Sequence, residues 1–168
     1  MYKKTKKTVM AALMAALICV ATFVVRIPTP LHGYVNLGDC LVLFAASILS
    51  PWYAALAAGL GSALADLISG YVIYAPATFV IKAFMALLFC LFIRGLKFKG
   101  ARIFIYALGA LLAEILMVLG YLIFEACLYG FAAAIINIPA NCIQGAAGVI
   151  IGTALIKIFE RVKIAARK

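Results

Sequence analysis

The chain has 168 residues, 68% of them hydrophobic, with 15 Lys and Arg against five Asp and Glu, a net charge of +10 and a mean hydropathy of +1.21. A soluble protein of this composition would expose far too much apolar surface, and no length is left for a second soluble domain. The expected fold is an all-α integral membrane protein, a single domain over residues 1–168. The cations cluster at the ends of apolar runs, which speaks for membrane flanks rather than nucleic acid as the partner.

The first apolar run, 8–25, follows Lys3, Lys4, Lys6 and Lys7. It is long for the apolar region of a signal peptide, and reads as an uncleaved first span. Ala11 and Ala15, with Ala12 and Ala16, form two overlapping small-xxx-small pairs that let another helix approach closely. A break at 26–33 holds two prolines, a glycine and His32, the single histidine. No Walker motif, HExxH, GxSxG or histidine cluster is present, so no catalytic residue, metal or cofactor is expected.

Residues 37–68 read either as one long helix or as two, divided at Ser50-Pro51. The basic flanks decide between them. The N-terminal lysines and the cluster Arg94, Lys97, Lys99 and Arg102 are both cytoplasmic only if an even number of spans separates them. Division at Ser50-Pro51 supplies it. Six helices follow, over about 8–25, 37–49, 52–68, 75–93, 103–124 and 131–158, with both termini cytoplasmic. Lys157, Arg161, Lys163, Arg167 and Lys168 close the chain on the same side.

Four of the five acids, Asp39, Asp66, Glu114 and Glu125, lie in or beside apolar runs, and Lys82 is the one cation deep in a span. An ionisable group there costs a few kcal/mol or more unless it is paired or faces a polar cavity. Asn36 and Asp39 open the second helix, where Asn36 is also a candidate N-cap. Asp66 nears the outer end of the third, with Ser62 one turn below. On the fourth, Tyr74, Thr78 and Lys82 share a face. Lys82 either pairs with Asp66 or Glu114 or binds an anionic or hydroxylated ligand.

On the fifth helix, Glu114, Tyr121 and Glu125 form one polar stripe. Glu125 reads alternatively as an interfacial residue at a helix end. About 16 Å of helix rise separates the two glutamates, too far for paired acid–base chemistry by an intramembrane enzyme. On the sixth, Asn137, Asn141 and Gln144 share a face, either to bond neighbouring helices or to meet the edge of a heterocycle. The five scattered cysteines read as small packing residues; Cys127 and Cys142 are the one pair to check for a disulfide. With Tyr34, Tyr71, Tyr74 and Tyr121, these polar groups converge on the outer half of a bundle, as a pocket for a small, flat, hydroxylated ligand.

The run Gly33-Tyr-Val-Asn-Leu-Gly-Asp39, the stretch from Ala65-Asp66 through Tyr74 to Lys82, Glu114, Gly120-Tyr121, Glu125, Pro139-Ala-Asn-Cys-Ile-Gln144 and the alanine pairs carry a resemblance over nearly the whole chain. It resembles the substrate-binding S components of energy-coupling factor (ECF) vitamin transporters, within the riboflavin-transporter-like group and nearest the hydroxymethylpyrimidine and pyridoxine branch. The resemblance implies capture of a vitamin or its precursor at the outer face of a bacterial cell membrane, with the loop 26–36 as gate. It further implies docking through Ala11, Ala12, Ala15 and Ala16 onto a membrane T component driven by two cytoplasmic ATPases. The ligand stays open between hydroxymethylpyrimidine, pyridoxine, riboflavin and another vitamin. A stand-alone carrier coupled to protons through the buried acids is the alternative, against which stands the lack of an evident inverted repeat.

Overall fold

In the computed structural model, residues 2–29, 34–96 and 102–166 are described. The expectations placed on His32, Gly33, Lys97, Lys99, Arg167 and Lys168 lie outside the described residues, as does the side chain of Lys3. The order is α1 (Tyr2–Val24), β1 (Arg26–Pro28), β2 (Tyr34–Asn36), α2 (Gly38–Ile48), α3 (Pro51–Ile68), α4 (Ala75–Gly95), α5 (Arg102–Tyr129), α6 (Phe131–Ala134), a 3-10 turn (Ile135–Asn137) and α7 (Ile138–Ala165).

Among the described residues, five helical stretches are long and apolar enough to cross a bilayer: Lys4–Val24, Pro51–Ile68, Ala75–Gly95, Arg102–Tyr129 and Phe131–Ala165. The helix α2 is apolar but only 11 residues long, about 16 Å at 1.5 Å per residue. The division at Ser50-Pro51 is present. Leu49 and Ser50 are extended and Pro51 starts α3, where its missing N–H is no loss.

Helix α1 starts at Tyr2 rather than about residue 8, and α7 runs to Ala165 rather than 158; two further boundaries move beside the polar residues. The fifth helix runs on past Glu125 to Tyr129, so Glu125 lies a turn inside the helix and is buried, at 2% exposure, rather than interfacial. The last helix is not continuous from Phe131. Pro139 has no N–H for the carbonyl of residue 135 and its ring crowds that carbonyl, and the chain passes through the 3-10 turn before α7 sets in. The expected loop after α1 instead forms an antiparallel hairpin, pairing Arg26 with Asn36, Ile27 with Val35 and Pro28 with Tyr34.

Short α2 packs on α1, α3, α4 and α7 and sits at the centre, burying Val42, Leu43, Ala45 and Ala46 completely. Around it α1 lies on α3, α3 on α4, α4 on α5 and α5 on α7. Small residues set the spacing: a side chain at Gly61 would strike Ile18 and the Ala15 carbonyl of α1, and one at Gly152 would press on Leu43. Outward faces are apolar, as in the row Leu56, Leu60, Leu64 and Leu67 on α3, and suit lipid rather than water.

The two ends of the bundle differ. At one, the Arg94 guanidinium donates to the Leu49 carbonyl, Arg102 pairs with Glu160 at 3.4 Å, and Thr8 of α1 meets Tyr53 of α3. At the other lie the hairpin and the turns through Gly70 and Gly130, whose φ of 85° and 86° favour glycine. The polar side chains of the spans collect towards this second end.

Candidate functional site

Two polar assemblies fill the space between the hairpin and the middle of the bundle. The first is centred on Asp39 in the first turn of α2. Lys82 of α4 forms an ion pair with one of its oxygens, and Gln144 Nε2 of α7 donates to the other at 2.6 Å. Gln144 Oε1 accepts from the Asn36 backbone N–H at 2.9 Å. Asn36 Oδ1 accepts from the Gly38 N–H at 2.8 Å, so Asn36 bonds the first turn of α2, although Leu37 is the residue at the cap position. Lys82 therefore pairs with neither Asp66 nor Glu114. Sequence spacing cannot rank the acids, because α2 reaches Lys82 only through its central place in the bundle. With side chains 1–2% exposed, the pair is stable only because its charges and lone pairs are met by one another and by Gln144.

The second assembly lines a small cavity under the hairpin. Its walls are Thr22 of α1, Thr29, Tyr34 and Asn36 of the hairpin region, Ser62 and Asp66 of α3, Tyr74, Thr78 and Lys82 at the start of α4, Tyr121 and Glu125 of α5, and Asn141 and Gln144 of α7. Tyr34 donates its hydroxyl to Asp66 Oδ1, and its ring lies 4.8 Å from that of Tyr71. Burial, and then the Asp66 carboxylate, hold the Tyr34 proton on well above the usual phenol range. Thr78 and Tyr121 share a hydrogen bond of 3.0 Å. Glu125 Oε1 accepts from Asn137 Nδ2 at 2.8 Å and from the Tyr74 hydroxyl at 3.4 Å. The cavity volume is about 30 Å³, room for about two waters. A ligand larger than water fits this volume only if the lining side chains move apart.

Of the residues singled out in the sequence, Asn36, Asp66, Tyr74, Lys82, Tyr121, Glu125, Asn141 and Gln144 come together on this wall. Asp39 stands behind Lys82 and Gln144, and Asn137 behind Glu125. Glu114 does not join them. It is 3% exposed, neither of its oxygens has a hydrogen-bond partner, and it lies against α7 where a side chain on Gly148 would collide with it.

Sequence reading missed Thr22 and Thr29. Thr22 is the only hydroxyl between Thr8 and Arg26, a weak signal, since threonine is at home in any membrane helix by bonding its own backbone. The four alanines do not share a surface: Ala11 is buried, Ala15 is half-buried against Gly61 of α3, and Ala12 and Ala16 are exposed. Cys127 and Cys142 are both exposed and not bonded to each other.

The family model of the ECF-type riboflavin transporter S component matches residues 2–161. The chain belongs to this family. A protein of Pyrococcus woesei described as "Uncharacterized protein in gap 3'region" is 38% identical over 145 residues, covering 86% of this chain and 95% of that one. Membership makes the chain a multi-pass membrane component of a transporter rather than an enzyme, with a T component and ATPases as implied partners.

Proposed function

We propose that this S component captures a small vitamin or vitamin precursor in the cavity between Asp66, Lys82, Tyr121, Glu125 and Asn141, and delivers it when docked to its T component and two ATPases. The observation that carries the reading is the placement of eight spaced polar residues, from β2, α3, the cap and body of α4, α5 and α7, around one cavity. A membrane protein that needed these groups only for helix packing would pair them locally, since each unsatisfied polar group in hydrocarbon costs several kcal/mol.

A ligand of the hydroxymethylpyrimidine or pyridoxine type offers hydroxyl and ring-nitrogen groups to this wall of carboxylates, amides and tyrosines, and needs less movement of the lining than the larger riboflavin. The hairpin is the gate: Tyr34 latches it to Asp66, and Asn36 anchors it to Gln144. The end carrying Lys4, Lys6, Lys7, Arg94, Arg102, Lys157 and Lys163 faces the cytoplasm by the positive-inside rule, which puts the hairpin outside. The short α2 then serves as a sixth crossing, completed by the hairpin above it. Exposed Ala12 and Ala16 form the docking face, with Ala11 and Ala15 holding α1 to its own bundle.

Titration of the purified chain in detergent with hydroxymethylpyrimidine, pyridoxine and riboflavin tests the capture reading. Saturable 1:1 binding without T component or ATPases is expected. Accumulation of a vitamin by vesicles holding this chain alone would instead favour a stand-alone carrier.

A further inference from the structure

The cavity's open hydrogen-bonding positions are not evenly shared between donors and acceptors. Asp66 Oδ2 and Glu125 Oε2 are buried, belong to residues 3% and 2% exposed, and have no hydrogen-bond partner. Three hydroxyl oxygens on the same wall, Thr22 Oγ1, Thr29 Oγ1 and Ser62 Oγ, are likewise unpartnered. An ionised carboxylate only accepts, and a hydroxyl does either.

The positive charges nearby do not balance these acids. Lys82 lines the cavity, but its ammonium is in an ion pair with Asp39. Arg26, on the first hairpin strand, is not part of the wall and lies with its guanidinium 4.4 Å from the Phe23 ring centre. Two carboxyl groups thus line a shared space with no cation of their own among the described residues. Three tyrosines, Tyr34, Tyr74 and Tyr121, line the same cavity, and aromatic faces attract cations.

Resting on the capture reading above, we infer that the molecule taken by this cavity is a small cation: a heteroaromatic ring that carries a positive charge, as a protonated alkylamine or a quaternary ring nitrogen, and whose N–H donors meet Asp66 and Glu125. The uncharged flavin ring system is a poor match. Burying a carboxylate without a partner is costly, so a cationic ligand gains from both acids where a neutral isostere of the same shape does not.

Matched pairs of probes test this on the full chain in detergent or lipid discs: pyridoxamine against pyridoxine, and the aminomethyl against the hydroxymethyl form of 4-amino-2-methylpyrimidine, with thiamine as a permanent cation and riboflavin as a neutral reference. The amine of at least one pair is expected to bind tenfold or more tightly than its alcohol, or thiamine to bind tenfold more tightly than riboflavin. Asp66→Asn and Glu125→Gln, which keep shape and fold, should each shrink that ratio several-fold, while the melting temperature reports that the variants remain folded. Tight binding of an alcohol or of riboflavin with no preference for charge would overturn the cation inference and leave the capture reading standing. Saturable binding by none of the six probes would overturn both.

Discussion

Asp39 and Asp66 are aspartates on adjoining helices, 1% and 3% exposed, and their surroundings differ in kind. Both oxygens of Asp39 are met, one by Lys82 and one by Gln144, and that knot ties α2, α4, α7 and the hairpin together. Asp66 has Tyr34 on one oxygen and no hydrogen-bond partner on the other, and Glu125 repeats the pattern with Asn137 and Tyr74 on one oxygen alone. A closed network holds the fold. A half-met acid beside a cavity is held ready for something else. The lesson is that neither burial of a charged group in a membrane helix nor an open lone pair marks the ligand site by itself, since Glu114 has both; an open lone pair on a residue that lines the cavity does.

The sharpest way to break this contrast is at Lys82. Lys82→Met leaves Asp39 buried with no cation, and should cost about 3–5 kcal/mol of stability, read as a large fall in melting temperature in detergent. Replacing both partners, Lys82→Met with Asp39→Leu, should recover most of the loss, since an apolar pair of similar volume is often neutral or better. A double variant as unstable as the single one would show that the pair is not the knot that holds these helices together.

Gly148→Ala tests the close approach of α7 to Glu114. The added methyl collides with the Glu114 carboxyl, and over-packing of this kind costs about 1–3 kcal/mol. Unchanged melting would mean that Glu114 swings freely out of that contact.

Asp66→Asn and Glu125→Gln should sit at the opposite pole from Lys82→Met. Each keeps its shape and its existing partner, and each is expected to shift stability by about 1 kcal/mol or less, while weakening ligand binding tenfold or more by titration. A change in stability that outweighs the change in binding would move these acids into the structural class.

On α1 the contrast is between neighbours. Ala16→Trp, on the exposed face, should leave melting and ligand binding unchanged and abolish uptake in cells that carry the T component and ATPases; Ala11→Trp should instead destabilise the bundle. Normal uptake by Ala16→Trp would remove the docking face from α1. The smallest effect is expected at Tyr34→Phe, which loses one hydrogen bond to Asp66, about 1 kcal/mol, and should release bound ligand faster without altering which ligand is preferred.

Much of this was legible in the chain. The four acids and Lys82 stand out against apolar runs, the row Asn137, Asn141 and Gln144 follows helical spacing, and Ser50-Pro51 marks the division between α2 and α3. What could not be read was pairing across helices. The sequence offers Asp66 and Glu114 as partners for Lys82, and only the central position of α2 brings Asp39 to it instead. Glu114 shares the stripe of Tyr121 and Glu125, but α7 packs against it through Gly145 and Gly148 and closes it off from the cavity wall. The alanine pairs look equivalent in sequence, and the crossing of α1 on α3 alone turns Ala11 inward and Ala12 outward.

The central claim is that this chain, without its partners, holds a small heterocycle between Asp66 and Glu125. Its most direct test is to purify the chain alone, denature it, and identify by mass spectrometry any small molecule released, beside the Asp66→Asn, Glu125→Gln double variant prepared in the same way. One nitrogen heterocycle in near-stoichiometric amount from the natural chain, and little or none from a folded double variant, is the result the account predicts. Equal release from both, or neither a released molecule nor saturable binding on titration, would contradict it.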